Sequence, residues 1–391
     1  MDSTDKAGRS VLRNRNLHII FGVTLMAVLG VSSITPAFPV MSKALHINPR
    51  QIGLLITVFT LPGIFLTPFL GMLADRYGRK KILIPSLILF AVAGASCAFL
   101  QTFNGLLIAR FFQGVGATSL GALNVTLIGD LFRGRQRAAA MGYNASVLSV
   151  GTASYPTIGG SLALFGWHYP FLLPLFALPI AFVVLFFLET RTIEKTSTLK
   201  NYLLMALKAM SQRQVISLYL ASLMTFIILY GAYLTYFPLL LNLKFQANSF
   251  VIGIIMSSMS ATTALTSWQL GRLTRMFSEK SLIKVSYILY TLSLLIIPQV
   301  THEYLFLLAT ILFGMAQGIN IPSIQTLLAG LAPEEYRAIF MSVNGMVLRL
   351  GQTIGPLLAG LFFALWGLDG TFLSSAALAA LLGSILFFLI P

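Results

Sequence analysis

Two arginines stand deep inside apolar sequence with no carboxylate at a similar depth. Arg110 lies in LLIARFFQGVGATSLG, with Gln113 three positions on, so the two side chains share one helical face. Arg349 lies in MSVNGMVLRLGQTIGP, roughly 16 Å into its apolar segment at 1.5 Å of rise per residue. A cation at such depth costs about 2.5 kcal/mol or more, so it must face protein interior or water rather than lipid. The eleven acidic residues are Asp2, Asp5, Asp75, Asp130, Glu189, Glu194, Glu279, Glu303, Glu334, Glu335 and Asp369. Each falls in a tail, a loop or the last turn of an expected helix. Two buried cations without a buried anion make a positive interior, which repels cations and favours anionic or neutral polar molecules. Arg349 is the first candidate for direct contact with such a molecule. Arg110, Gln113, Asn144 and Asn344 are the candidates beside it, for substrate or coupling.

A second concentration of charge is the stretch Gly71 to Lys81, GMLADRYGRKK. Its cations cannot sit in hydrocarbon, so the stretch must lie at a membrane surface, and its positive excess places that surface on the cytoplasmic side. Gly71 and Gly78 permit a tight connection or close backbone approach. Asp75 can pair with Arg76, Arg79 or a neighbouring helix end, and Asp130 with Arg76 or Arg79. Gly71, Asp75, Arg76, Gly78, Arg79, Lys80 and Asp130 together are expected to form a cytoplasmic gate.

The elements that must carry these residues follow from composition. Of 391 residues, 57% are hydrophobic and 9% charged, with a net charge of +15; that is the profile of a polytopic membrane protein. Twelve apolar segments of spanning length are expected, at about 17–40, 50–72, 82–101, 105–131, 138–164, 169–189, 215–241, 249–271, 282–300, 304–330, 338–364 and 371–390. Of the 26 Lys and Arg, Lys43, Arg50 and Lys244 fall outside, Arg110 and Arg349 in the membrane, and the other 21 on the inner side. That asymmetry is the positive-inside pattern and not a nucleic-acid footprint. The apolar run from Leu17 to Val40 is too long for a signal-peptide core and reads as the first permanent helix. The single Cys97 excludes an internal disulfide. No lipidation signal, metal-ligand spacing, Gly-Lys phosphate loop or Ser-His-Asp set is present, so no cofactor, no metal, no enzymatic activity and no direct use of ATP are expected.

The chain also repeats. A shift of 200 positions superposes Gly71 on Gly271, Gly114 on Gly314, Arg137 on Arg337, Asn144 on Asn344, Gly151 on Gly351, Pro156 on Pro356 and Gly160 on Gly360. The expected organisation is a cytoplasmic arm (1–16), a six-helix bundle (17–189), a cytoplasmic linker (190–214) with an interfacial helix near Tyr202 to Met210, and a second six-helix bundle (215–391). Both termini are then cytoplasmic.

The basic stretch resembles the G-x-L-a-D-r-x-G-r-k signature of the major facilitator superfamily, on Gly71, Leu73, Asp75, Arg76, Gly78, Arg79 and Lys80. Arg110, Gln113, Gly114, Gly116 and Ala117 resemble its fourth-helix motif, and Leu29 to Pro39 the end of its first helix. Gly151, Pro156, Gly159 and Gly160 resemble the antiporter motif of its fifth helix, with Tyr155 where Gly is usual, and Gly355-Pro356 keep that pattern in the eleventh helix. The resemblance covers nearly the whole chain and points to the twelve-helix drug:proton antiporter branch. It implies an all-α membrane protein of two pseudo-symmetric six-helix bundles in a bacterial inner or other plasma membrane. Such a protein acts as a monomer among lipids and exports small molecules, including drugs, in exchange for protons. Import or facilitated passage of a sugar or organic anion, lipid flipping, and ligand reception without transport are the alternatives on the same fold.

Overall fold

The computed structural model describes residues 11–189, 210–333 and 337–389. All its regular elements are helical. The first six are α1 (Arg15–Ala44), α2 (Leu54–Tyr77), α3 (Arg79–Ser96), α4 (Phe103–Leu131), α5 (Gly134–Ala163) and α6 (Tyr169–Phe187). The last six are α7 (Arg213–Phe245), α8 (Ser249–Met276), α9 (Glu279–Ile296), α10 (Phe306–Leu331), α11 (337–366) and α12 (368–389). α11 and α12 run on from one another except at Gly367, whose φ of 70° breaks the helix. Among the described residues, nine stretches are long and apolar enough to span a bilayer, the ninth covering both α11 and α12. α3 is excluded by Arg79, Lys80 and Lys81 at its head, and α5 by its many Gly, Ser and Thr residues. All twelve expected segments therefore fall on helices, in two bundles of six.

Local chemistry fixes the helix ends. Side chains of Thr102, Asn248 and Ser278 accept from backbone N–H groups of the first turns of α4, α8 and α9, satisfying donors that a helix start leaves open. Prolines inside α3, α5, α10 and α11 (Pro85, Pro156, Pro322 and Pro356) are tolerated because neighbouring helices shield the freed backbone groups. α1 tightens to a 3-10 turn over Thr35–Ala37, with Pro36 in it. α7 widens to π geometry over Leu229–Tyr236, a change that apolar periodicity does not announce.

The basic stretch is not a loop. α2 continues through Gly71 to Tyr77, and α3 starts at Arg79. Gly78 alone makes the turn, at φ 99°, a backbone state open to glycine at little cost. A hydropathy reading stops at the charges, whereas Met72, Leu73 and Ala74 keep the helix going into the aqueous layer. The arm before residue 11, and Arg191, Glu194, Lys195, Lys200 and Lys208 with most of the interfacial helix expected near Tyr202, lie outside the described residues, as do Glu334 and Glu335.

The bundles meet along α2–α11 and α5–α8, with the far ends of α1 and α7 closing between them. The seam is built at the end of the molecule opposite Gly78. A Cβ on Gly160 would strike the Ser249 carbonyl, and one on Gly253 the Pro156 carbonyl, so α5 and α8 touch backbone to backbone. Small residues are what permit such approach between membrane helices.

Candidate functional site

The α2–α11 seam can be followed turn by turn towards the Gly78 end. Arg50 Nη2 donates to the Ala364 carbonyl at 3.4 Å. A Cβ on Gly53 would lie 2.9 Å from Pro356 Cβ. Thr57 Oγ1 donates to the Thr353 carbonyl at 3.0 Å, and the Thr60 and Thr353 hydroxyls meet at 2.9 Å. One turn on, Gly63 faces Arg349, with a would-be Cβ 3.1 Å from Arg349 Cδ. There the contact ends: Gly345 on α11 and Gly71 on α2 have open space where a Cβ would stand. Arg349 thus sits at the fork where the two bundles part.

From α11 the Arg349 side chain crosses the seam and passes Gly63. It reaches α4 at Gly121, whose would-be Cβ lies 3.4 Å from Nη2. Its one hydrogen bond is Nη1 to Gln352 Oε1, 3.1 Å, a helical neighbour three residues on. Among the described residues no carboxylate pairs with it; the residue is half-buried, and Tyr230 on α7 is near enough to interact with it electrostatically. A guanidinium carries five donors in a planar fork, so most of its donor capacity here is uncommitted. Chemically this is a place for a carboxylate, a phosphate-like group or a strong neutral acceptor. Gly63 and Gly121 were not anticipated from the sequence. The signal was their position one helical face from the motif glycines, and it is too common in such a chain to single them out.

Arg110 has a different environment. It is fully buried, with Nε donating to the Leu55 carbonyl at 3.1 Å, and Nη1 to the Gly30 carbonyl at 2.8 Å and to Gln113 Oε1 at 2.6 Å. Its guanidinium carbon stands 4.1 Å from the Phe59 ring centroid. The side chain therefore ties α1, α2 and α4 together inside one bundle. Gln113, also fully buried, completes the tie. In this conformation neither is open to a ligand.

Asn144 and Asn344 also sit within their own bundles. Thr24 on α1 donates to Asn144 Oδ1 at 2.6 Å and accepts from Asn124 Nδ2 at 3.0 Å. In the other bundle Thr225 on α7 accepts from Asn320 Nδ2 at 3.2 Å, while Asn344, 3% exposed, lacks the matching bond.

The glycines of the antiporter-like motif split between two jobs. Gly151 faces Leu25 and Gly159 the Ser33 carbonyl, both on α1, while Gly160 and Pro156 form the seam with α8. Gly355 lies against α7, its would-be Cβ 2.7 Å from the Ile227 carbonyl, and Pro356 takes the seam with α2. At the Gly78 end, Arg79 Nε meets Asp130 Oδ2 at 3.1 Å, both side chains about 10% exposed, which joins α3 to α4 within one bundle. Lys80 Nζ donates to the Leu185 carbonyl at 3.1 Å. Arg76 is exposed over Tyr77. Asp75 falls in the last turn of α2, and its side chain lies outside what the structure describes.

Comparison with known proteins bears on the whole arrangement. The family model described as Major Facilitator Superfamily matches residues 20–301 and again 240–391. Multidrug resistance protein 1 of Bacillus subtilis (strain 168) is 27% identical over 356 residues, 90% of each chain. Quinolone resistance protein NorA of Staphylococcus aureus (strain MRSA252) is 26% identical over 360 residues, again 90% of each. The Bacillibactin exporter of Bacillus subtilis (strain 168) is 34% identical over 164 residues, 40% of this chain and 41% of that one. Among solved structures, a bacterial homologue of the human lysosomal transporter Spinster, inward-facing and unoccupied, superposes with a TM-score of 0.80 at 16% identity, covering 98% of this chain and 97% of that one. At that identity the likeness concerns the fold.

Proposed function

Since the chain belongs to the major facilitator superfamily, a family of membrane transporters and not of enzymes, we propose that it exports amphipathic small molecules, anionic or neutral, by alternating access in exchange for protons. The observation that carries the charge preference is Arg349 at the fork of the two bundles, half-buried and with no carboxylate paired to it among the described residues. Export is supported by relatives named as multidrug, quinolone and bacillibactin resistance or export proteins. In this reading the Gly78 end faces the cytoplasm of a plasma membrane, with both termini, the 1–16 arm and the 190–214 linker on that side. The structure is then open inwards and sealed outwards. Residues 17–189 and 215–391 rock as two bodies within one monomer embedded in lipid. Asp75, Arg76, Arg79 and Asp130 close the cytoplasmic end in the opposite state. Protons travel through Asp75, Asp130 or the substrate itself, because among the described residues no carboxylate pairs with Arg349.

Proteoliposomes with an imposed pH gradient test this. The protein should accumulate 2-naphthoate in preference to N,N,N-trimethyl-2-naphthylammonium, a cation built on the same ring system. Preferential flux of the cation would overturn the charge assignment. Naphthoate flux indifferent to collapse of both pH gradient and membrane potential would exclude proton coupling.

A further inference from the structure

The unequal treatment of Asn144 and Asn344 has a local cause. Thr24 Oγ1 reaches both the Ile20 carbonyl at 3.0 Å and Asn144 Oδ1 at 2.6 Å, the shorter contact being the one to Asn144, and it accepts from Asn124 Nδ2. In the second bundle Tyr287 on α9 intervenes, at the position where the first bundle has Leu87. The Tyr287 hydroxyl donates its only proton to the Ala221 carbonyl at 2.7 Å. In its 3.0 Å contact with Thr225 it must therefore accept, which uses the Thr225 proton. Thr225 then has no proton left for Asn344. Its amide makes no hydrogen bond to any described residue, and Oδ1 is fully buried.

Beside this amide lies a cavity of about 10 Å³, lined by Ser222, Thr225, Gln325 and Asn344 together with apolar side chains of α7, α10 and α11. That is about the room one water-sized group needs. Ser222, 3% exposed, and Gln325 likewise make no hydrogen bond to a described residue. Asn344 Oδ1 is the buried atom left without a partner at this void, and Ser222 and Gln325 add polar groups to its wall; a buried polar group without a partner is costly, which makes this a polar site and not a packing defect. Phe226, Ile321 and Leu348 are only half-buried and Gln325 is exposed, so the void has an open side. No acidic residue lines it, and it stands on the helix that carries Arg349, five residues or about 7.5 Å of rise away. A bound cation has no countercharge there.

We propose that this pocket is a subsite for a single hydroxyl-type group, one that donates to the Asn344 amide and accepts from Ser222 or Gln325. Water supplies that group in the empty transporter. A hydroxyl of the carried molecule supplies it when the acid group of that molecule sits on Arg349, a second source that rests on the anion reading above.

Two measurements on the full-length protein test the subsite. A map that resolves ordered water, from protein without added ligand, should show one density peak within hydrogen-bond reach of Asn344 and Ser222. Separately, 6-hydroxy-2-naphthoate should bind roughly twofold to tenfold more tightly than 2-naphthoate, the worth of one net hydrogen bond. Asn344→Leu fills the void, removes its amide and should erase that preference. Tyr287→Phe frees the Thr225 proton for Asn344, should close the pocket as in the first bundle, and should erase both the preference and the peak without adding bulk. Density without a hydroxyl preference assigns the pocket to water. A preference lost in both variants assigns it to the carried molecule. An empty void together with equal affinities, or with a preference that survives both variants, overturns the subsite. Failure of either naphthoate to bind would defeat the anion reading instead, and the map alone then decides the pocket.

Discussion

Replacing Arg349 by alanine separates a ligand contact from a structural prop, because the two roles move different quantities. The native side chain holds one hydrogen bond, to Gln352 at 3.1 Å, worth about 0.5–1.5 kcal/mol net. Against that stands the cost of keeping an unpaired cation at depth, about 2.5 kcal/mol or more on the mildest scale. Arg349→Ala should therefore leave the melting temperature unchanged or raise it. A carboxylate bound to the free donors gains about 1.5–3 kcal/mol from a charge-assisted bond, so its loss should weaken 2-naphthoate roughly tenfold to 150-fold. The matched neutral amide, 2-naphthamide, should weaken far less. Arg349→Lys should recover part of the acid affinity, since it keeps the charge but loses the planar fork. Affinities from tryptophan quenching or calorimetry on detergent-purified protein, with melting curves of the same samples, supply all the numbers. A melting temperature several degrees lower, with equal losses for acid and amide, would refute the reasoning and make Arg349 a prop.

Arg110→Ala should behave in the opposite way: it strands the Gly30 carbonyl and Gln113 in the protein interior and removes the tie to α2 at Leu55, at about 1–3 kcal/mol for each group left unsatisfied, so thermal stability should fall sharply and every ligand should suffer alike. Gly253→Leu cannot fit against the Pro156 carbonyl and should hold the sealed end apart. A Thr157→Cys reporter, whose parent hydroxyl meets Ser257 at 2.7 Å in the closed seam, should then react faster with a membrane-impermeant maleimide; an unchanged rate would mean the seam closes by another contact. Asp75→Asn should abolish transport with folding intact if the carboxylate latches the cytoplasmic end, and near-normal vesicle flux would remove it from the gate.

Much of the fold was legible because a bilayer permits few solutions. Twelve apolar segments, charge asymmetry and a 200-residue repeat leave little choice of architecture, and the helices fall within a few residues of where hydropathy puts them. The sequence was less informative wherever a polar side chain decides between two neighbours. Arg110 and Arg349 give the same signal, a cation in apolar sequence, yet one spends its donors on backbone carbonyls and the other keeps them. That difference depends on where the Gly30 and Leu55 carbonyls lie, and on Gly63 and Gly121 clearing a path across the seam, none of which is written in local periodicity. The basic stretch falls between the expected spans 50–72 and 82–101, yet it is helical but for Gly78, for a related reason: charge ends the membrane, not the helix. Likewise the repeat superposes Asn144 on Asn344, but a single Tyr at 287 in place of Leu at 87 changes what the two amides can do.

The position of Arg349 also bears on how binding and access are coupled. Residues 50, 53, 57, 60 and 63 of the α2 side engage α11 in successive turns, and beyond Gly63 the contact gives way to open space at Gly71 and Gly345. A charge buried in a closed seam needs a partner more than a charge at an open fork does, because closure removes water from around it. With Arg349 unpaired, zipping the seam further towards the Gly78 end carries a desolvation cost. With an anion on the guanidinium that cost falls, and so does the barrier to the opposite state. A ligand shifts such an equilibrium only by its difference in affinity for the two states, and a group at the fork is where that difference is largest. A neutral ligand that does not engage the guanidinium leaves the cost in place. Acidic molecules should therefore be carried faster than neutral ones even at equal occupancy.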